Sequence, residues 1–414
     1  MNEGETIMKR ITLLFAGLLM TGCSSIDQST NNNQSFVDSN SDMKQVGYQN
    51  IAFANNYTVD EPDCNTYETF ELTRKPARPV DESFSCFDEA ATKYFPKLDN
   101  RESYYSLNAF ANGKALERNE NDPKPELNDF AYFHDALTGK DARIIFMMLI
   151  SPQGTVQMHA NGGLYTLIRD RAFRLDHPDG KNVNMYFALD EHEITDRVHL
   201  AQGADIPDRS AAMLDKTVTM QDAVPLLYSH LAEAETGVEN PELIPDITDI
   251  WRVDMGENIS GFHFWLTSTY HGIRIDTMPM KDGMMAQYDD RLLKHPYQLY
   301  PGSAFMIRSD ELDMIMAFHS ARAYDIANVQ EHSLSVSYAD ALQRLSESLS
   351  DSTVIELSYA EFVYTPYLDA KAAEPEHLTV DAAWKFAGHN RTDGYDYVFY
   401  VHADDGETEY YKYW

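Results

Sequence analysis

A chain of 414 residues exceeds one ordinary core, so two or three domains are expected, and 43% hydrophobic with 12% aromatic residues leaves ample material to bury. With 66 acidic against 33 basic residues the formal charge is -33. That field disfavours nucleic acid and anionic lipid head groups as partners of the folded body; it suits cations, cationic peptides or a basic protein face, and it keeps an exported protein soluble.

The N-terminus reads as an address. Met8-Lys9-Arg10 opens a basic region, residues 11–20 are apolar, and Met20-Thr21-Gly22-Cys23 closes the run with small residues before a cysteine. The run is too short for a membrane span and has the layout of an export signal. It resembles a bacterial lipoprotein signal, with methionine where leucine is commoner at the first box position. The resemblance implies a signal peptide over residues 1–22 and lipidation of Cys23, with two or three acyl chains such as palmitate giving a stable anchor. Met8 is the expected translation start, because Asn2-Glu3-Gly4-Glu5 can be encoded by a purine-rich ribosome-binding sequence. Ser24 behind the cysteine permits outer-membrane sorting in a Gram-negative cell; a Gram-positive cell would hold the protein on the outer face of its membrane.

Residues 23–50 are polar and form the lipidated cysteine and its tether, with a reach of roughly 25–30 Å. Ser41 and Lys44 spell S-x-x-K, but they lie in the tether and no K-T-G or S-D-N triplet follows, so no acyl-transfer site is assigned. Cys64 and Cys86 remain as an even pair in an exported chain and read as a disulfide, worth roughly 3 kcal/mol. Two free thiols are the competing reading.

Residues 51–205 read as an N-terminal α+β domain. Residues 143–150 are a continuous apolar run suited to a buried strand, Ser151-Pro152-Gln153-Gly154 turns, and residues 155–160 alternate as its partner. Residues 164–168 continue an antiparallel meander. Near the end of this segment His192-Glu193-Ile194-Thr195-Asp196 is a near miss for H-E-x-x-H; on a helix His192 and Asp196 would share a face, with His199 two turns on. These are the candidate metal ligands, against the plainer reading of a charged helix face.

A capped amphipathic helix is then written twice. Val218-Thr219-Met220-Gln221-Asp222-Ala223 with Leu227 and Leu231 is matched by Val336-Ser337-Tyr338-Ala339-Asp340-Ala341 with Leu345 and Leu349. In each the hydroxyl can cap the N–H three residues on, and the Ala/Leu/Leu row forms one apolar stripe. Pro225 inside the first copy predicts a kink or a later start. The first unit spans 206–300 with its connector; Pro241 and Pro245 mark a loop, and residues 247–253 and 262–270 alternate as half-buried strands. On the second of these strands His263 and His271 would share a face, and with Tyr270 they are the candidate ligand groove, against the plainer reading of core aromatics. The second unit spans 301–414. Residues 304–307 read as a strand, Ser309 with Met314, Ile315 and Phe318 as a capped helix, and residues 354–357, 362–364, 383–386 and 397–401 as strands.

The order of capped helix, Ile355-Glu356-Leu357, Tyr364-Thr365-Pro366, Ala383-Trp384-Lys385-Phe386 and a Tyr-rich strand ending in Ala403-Asp404-Asp405-Gly406-Glu407 resembles PepSY-like domains. It is similar to extracytoplasmic regulators of the YycH/YycI type and to Firmicutes lipoproteins, over about 200 C-terminal residues. The resemblance implies non-catalytic α+β modules that bind or restrain proteases or sensor kinases outside the membrane. A lipid anchor here replaces the transmembrane helix of those regulators. Asp404 to Glu407 lacks the ladder of a calcium loop and reads as a hairpin turn, and no nucleotide or nucleophile motif occurs.

The expectation is therefore an α+β protein of antiparallel sheets packed with capped amphipathic helices, two related C-terminal units following an N-terminal α+β domain. It is expected to be exported, lipid-anchored and non-enzymatic, with no cofactor, and to bind or regulate an extracytoplasmic protein or cationic peptide. A metal-assisted envelope hydrolase and a structural surface protein are the alternatives.

Overall fold

The structure, a computed structural model, describes residues 48, 50–62, 65–76, 79–99, 105–112, 114–116, 142–151, 154–159, 165–169, 194–202, 204–234, 242–256, 258–276, 294–296, 302–310, 314–317, 324–350, 352–369 and 377–413. The signal segment, Cys23, the tether apart from Tyr48 and Asn50, and His192 lie outside these residues.

The chain is α+β and mostly antiparallel. It opens with β1 (Ile51–Asp60), β2 (Thr66–Arg74), α1 (Val80–Tyr94), β3 (Tyr105–Ala111), β4 (Lys114–Leu116), β5 (Arg143–Ser151), β6 (Gly154–His159), β7 (Tyr165–Arg169) and β8 (Ile194–His199). There follow β9 (Ser210–Ala212), β10 (Thr217–Thr219), α2 (Met220–Ala234), β11 (Leu243–Gly256), β12 (Ile259–Tyr270), β13 (Ile273–Ile275), β14 (Lys294–Pro296), β15 (Gly302–Met306) and β16 (Met314–Ala317). The last stretch is β17 (Tyr324–Ser333), α3 (Tyr338–Ser348), β18 (Ile355–Asp369), β19 (His377–Asn390), β20 (Asp396–His402) and β21 (Thr408–Tyr413).

Two ribbons of strands carry the fold. One runs β4-β3-β5-β6-β7-β16-β15-β12-β11-β8, antiparallel throughout. The other is the meander β18-β19-β20-β21, with β1 parallel on the free side of β18 and β2 joining β17 to β19. They meet where β12 turns through His271 (φ 48°) and Gly272 (φ 81°) into β13, which pairs in parallel with β18. The left-handed backbone of that tight turn is what glycine tolerates at least cost. Residues 42–414 form one compact unit with a separate core for each ribbon, and strand pairing crosses the sequence limits expected for three units: β1 and β2 join the C-terminal meander.

Helix placement follows the apolar spacing. On α1, Phe84, Phe87, Ala90 and Ala91 point into the first core, with Asp81 and Glu82 at the N-terminal end and Lys93 at the other, complementing the helix dipole. The Thr219 hydroxyl accepts the Asp222 N–H (3.1 Å) and donates to its carboxylate (2.9 Å), and Ala223, Leu227 and Leu231 of α2 are buried in that same core. The helix runs through Pro225: burial of the stripe outweighs the one lost bond, about 3 kcal/mol in an unsupported helix. Ser337 and Asp340 cap α3 reciprocally, and Ala341 and Leu345 face the second core, while Leu349 is the C-cap residue beyond the helix. Replacing Ser337 with alanine is expected to cost about 1 kcal/mol, read from a urea midpoint; an unchanged midpoint would mean the cap contributes nothing.

Three sequence expectations change. The segment from Met314 is a strand, β16, because its backbone completes the ladder between β15 and β7; Ser309 caps no helix and instead bonds the Asp215 carboxylate. Pro245 lies within β11 rather than in a loop, and residues 354–357 and 362–364 are one strand, β18, with a register shift between Leu357 and Tyr359. No helix among the described residues is long and apolar enough to cross a membrane.

Candidate functional site

The inward-facing charges of the second ribbon fall in one row. Strand register sets Asp60 of β1 opposite Glu361 of β18, Glu361 opposite Lys385 of β19, Lys385 opposite Tyr400 of β20, and Tyr400 opposite Glu409 of β21. Because side chains alternate along a strand, Ala360, Phe362 and Tyr364 face the core beneath α3 while Glu361 and Val363 face the other way. On that second side, Val363, Ala383, Val398, Tyr400 and Tyr411 pack together and leave little water around the charges.

Two cations organise the carboxylates. Arg274 of β13 donates to Asp246 (2.6 Å), to Glu361 (3.3 Å) and to the backbone carbonyls of Leu200 (2.7 Å) and Ile247 (2.9 Å), and lies 4.0 Å from Asp60. Lys385 donates to Asp276 (2.7 Å) and approaches Glu361 at 3.0 Å. The Tyr400 hydroxyl donates to the other oxygen of Asp276 (2.5 Å), whose N–H is held by the Tyr364 carbonyl. Arginine suits the first position because its planar fork reaches several acceptors at once; the ammonium of Lys385 serves as a compact point charge. The groups come from β1, β8, β11, β13, β18, β19 and β20, so the cluster clasps the two ribbons at the β12–β13 turn.

His199 completes the cluster. Its Nδ1 lies 3.3 Å from Asp249, its Nε2 3.9 Å from Glu361, and its ring stacks on Tyr359 at 3.6 Å between centroids. A cavity of about 10 Å³, about the space one water requires, lies among His199, Asp249, Arg274, Asp276, Glu361 and Lys385.

The electrostatics pin Glu361 and Lys385 in their charged forms. Burial pushes the Glu361 carboxyl up, but Lys385, His199 and Arg274 outweigh it and hold the group at about 2. Burial pulls the Lys385 ammonium down, and Asp276 and Glu361 more than reverse this, leaving it well above the ordinary lysine range. Asp60 is shifted the other way: burial raises it against the opposing pull of the Gln202 N–H and Arg274. Two carboxylates opposite one another in a parallel register thus have their titrations pushed apart.

The residues expected from sequence lie elsewhere or in different roles. Residues 194–199 are a strand, not a helix, because they pair with β11; Asp196 and His199, three residues apart, therefore point to opposite faces. Asp196 pairs with Arg209 at 3.1 Å. Among the described residues no group of three His, Cys, Asp or Glu side chains is placed to hold a metal ion. The groove expected from His263, Tyr270 and His271 does not form, because β12 ends at Tyr270 and His271 sits in the turn. His263 is enclosed by Trp251, Trp265 and Phe305, with both ring nitrogens unpartnered and burial lowering it to about 3. Tyr270 packs on Phe70 in the second core, and exposed His271 pairs with Glu68 at 3.0 Å. Cys86 is half-buried on α1 and is bonded to no cysteine among the described residues, Cys64 lying outside them.

None of Arg274, Asp276, Glu361 or Lys385 was singled out from sequence. A signal was there: Arg274 stands between Ile273 and Ile275, Glu361 between Ala360 and Phe362, and Lys385 between Trp384 and Phe386. A charge inside an apolar strand is costly unless it is paired.

No protein-family model matches the chain, and no curated protein does. Among solved structures, an uncharacterized protein from Eubacterium rectale is similar with a TM-score of 0.45 at 10% identity, over 88% of this chain and 92% of its own. The Bacillus megaterium YpeB C-terminal domain is similar with a TM-score of 0.31 at 10% identity, over 82% of this chain and 99% of its own.

Proposed function

We propose that the protein is a lipid-anchored, extracytoplasmic module that binds or regulates another envelope protein. One observation carries the reading: the most buried charged groups, Arg274, Glu361, Lys385 and Asp276, are committed to pairing with one another. Glu361, held at about 2, and Lys385, held far above neutrality, are poor candidates for passing a proton at neutral pH, where a general acid or base is tuned near the working value. Such a centre fits a rigid scaffold that presents strands and surface to a partner. The address rests on the sequence from Met8 to Cys23, and the organisation as an N-terminal domain (51–205) with PepSY-like units over 206–300 and 301–414 rests on the duplicated capped helix, each copy followed by antiparallel strands, with β1 and β2 of the first segment pairing into the last unit.

In-cell crosslinking of the tagged protein, followed by mass spectrometry, tests the reading. Capture of one membrane kinase, protease or transporter at stoichiometric yield is expected; a specific hydrolytic activity on wall fragments with no captured protein would overturn it. Export also bears on the cysteines. In protein recovered from the envelope, Cys64 and Cys86 are expected as one disulfide, seen as a tryptic peptide pair that separates on reduction; both thiols alkylating without a reductant would refute the pairing.

A further inference from the structure

The second ribbon ends, among the described strands, at β21, an edge of unbroken register. Among the described strands β21 pairs only with β20, and their register is unbroken from Asp396↔Tyr413 to Val401↔Thr408. The edges of β1 and β17 are interrupted: register shifts fall between Phe53 and Thr58 and between Ala327 and Gln330, the latter at Asn328 with φ 53°. Such irregularities blunt an edge against further pairing, and β21 has none. Its outward row also carries an apolar ledge. Tyr410 is 65% exposed, and its ring rests against Tyr397 (6.1 Å) and Phe399 (6.2 Å), the latter buried in the core beneath α3.

We infer that β21 accepts an extended, basic segment of a partner protein as an additional strand. Backbone hydrogen bonding along β21 supplies the affinity, and an apolar side chain of the incoming strand covers Tyr410 and continues the face that packs on α3. Charge selects the occupant. Asp404, Asp405 and Glu407 are exposed at the start of β21, and the chain carries -33 overall, so a second copy is repelled while a lysine- or arginine-bearing strand is steered in. The inference rests on the binding reading above and adds where and to what class of segment the protein binds.

The test uses the full chain and an acetylated peptide of alternating lysine and valine, about eight residues long to match a strand. At about 1 mM peptide, amide exchange over Thr408–Tyr413 is expected to slow about tenfold. Raising salt from about 50 to about 300 mM, or substituting Tyr410→Lys, is expected to weaken binding about tenfold. Tyr410 is exposed, so that variant keeps its fold, checked by an unchanged urea midpoint. A glutamate–valine peptide that protects β21 equally, protection at a different strand, or none at all would overturn the inference. So would protection that grows with protein concentration alone, which would place a second copy on the edge. Crosslinking of an envelope partner to another face would defeat this edge while leaving the binding reading intact.

Discussion

Replacing Lys385 with methionine is expected to destabilise the protein by about 3–5 kcal/mol at neutral pH, the range for breaking a buried ion pair from one side. The Lys385 side chain is 4% exposed and faces Asp276 at 2.7 Å and Glu361 at 3.0 Å, themselves 6% and 3% exposed. Removing the ammonium leaves two carboxylates in an apolar surround with Arg274 to balance one of them. The loss comes from the stranded charge more than from the missing attraction, and Arg274 still faces Glu361, so neutralising Asp276 as well, in Asp276→Asn/Lys385→Met, is expected to recover about half of it. Urea unfolding with an unchanged slope gives the measurement. A single-variant loss below about 1 kcal/mol would mean that the cluster is hydrated and open, and the clasp between the ribbons would have to be abandoned.

Acid should expose the same cluster. The Glu361 carboxyl sits at about 2 in the folded protein against an ordinary 4.5, so the unfolded chain binds its proton first as the pH falls. Stability from this group is therefore complete above about pH 4.5 and is lost on descending toward pH 2, by about 3 kcal/mol in all. Asp60 acts in the opposite direction: its raised titration lets the folded state take up a proton early, which softens the upper part of the acid limb. Comparing urea midpoints across this window in wild type and Glu361→Gln separates the two. The variant is expected to lose the steep fall below pH 4.5, and a wild-type slope retained in the variant would assign the acid lability to other carboxylates.

Local signals were legible where one segment decides its own conformation. The hydroxyl–aspartate caps at Thr219 and Ser337 and the Ala/Leu stripes behind them place two helices correctly, and Ser151 pairs with Gly154 where β5 meets β6, the two ends of the expected turn. Helix α1 was not among the sequence expectations, although Phe84, Phe87 and Ala91 stand at helical spacing behind Pro79. Errors arose where the partner strand decides. Residues 194–199 and 314–317 have too few residues to express a period, and each takes its conformation from the ladder beside it, β11 for the first and β15 with β7 for the second. The grouping of His263 with His271 failed for a similar reason, since two-residue periodicity ends with the strand.

By itself the sequence determined the α+β class, the capped helices, the antiparallel hairpins and the strongly acidic field, because each depends on neighbours within a few positions or on composition alone. Only the tertiary structure decided that Arg274, Asp276, Glu361 and Lys385 meet, with His199 and Asp60 drawn in from far earlier in the chain. Register and ribbon crossing place those charges, and both are set by hydrogen bonds between segments up to 310 positions apart, as Phe70 of β2 and Val380 of β19 are. A lone charge in an apolar strand announces that it must be paired; which partner pairs it is a property of the fold.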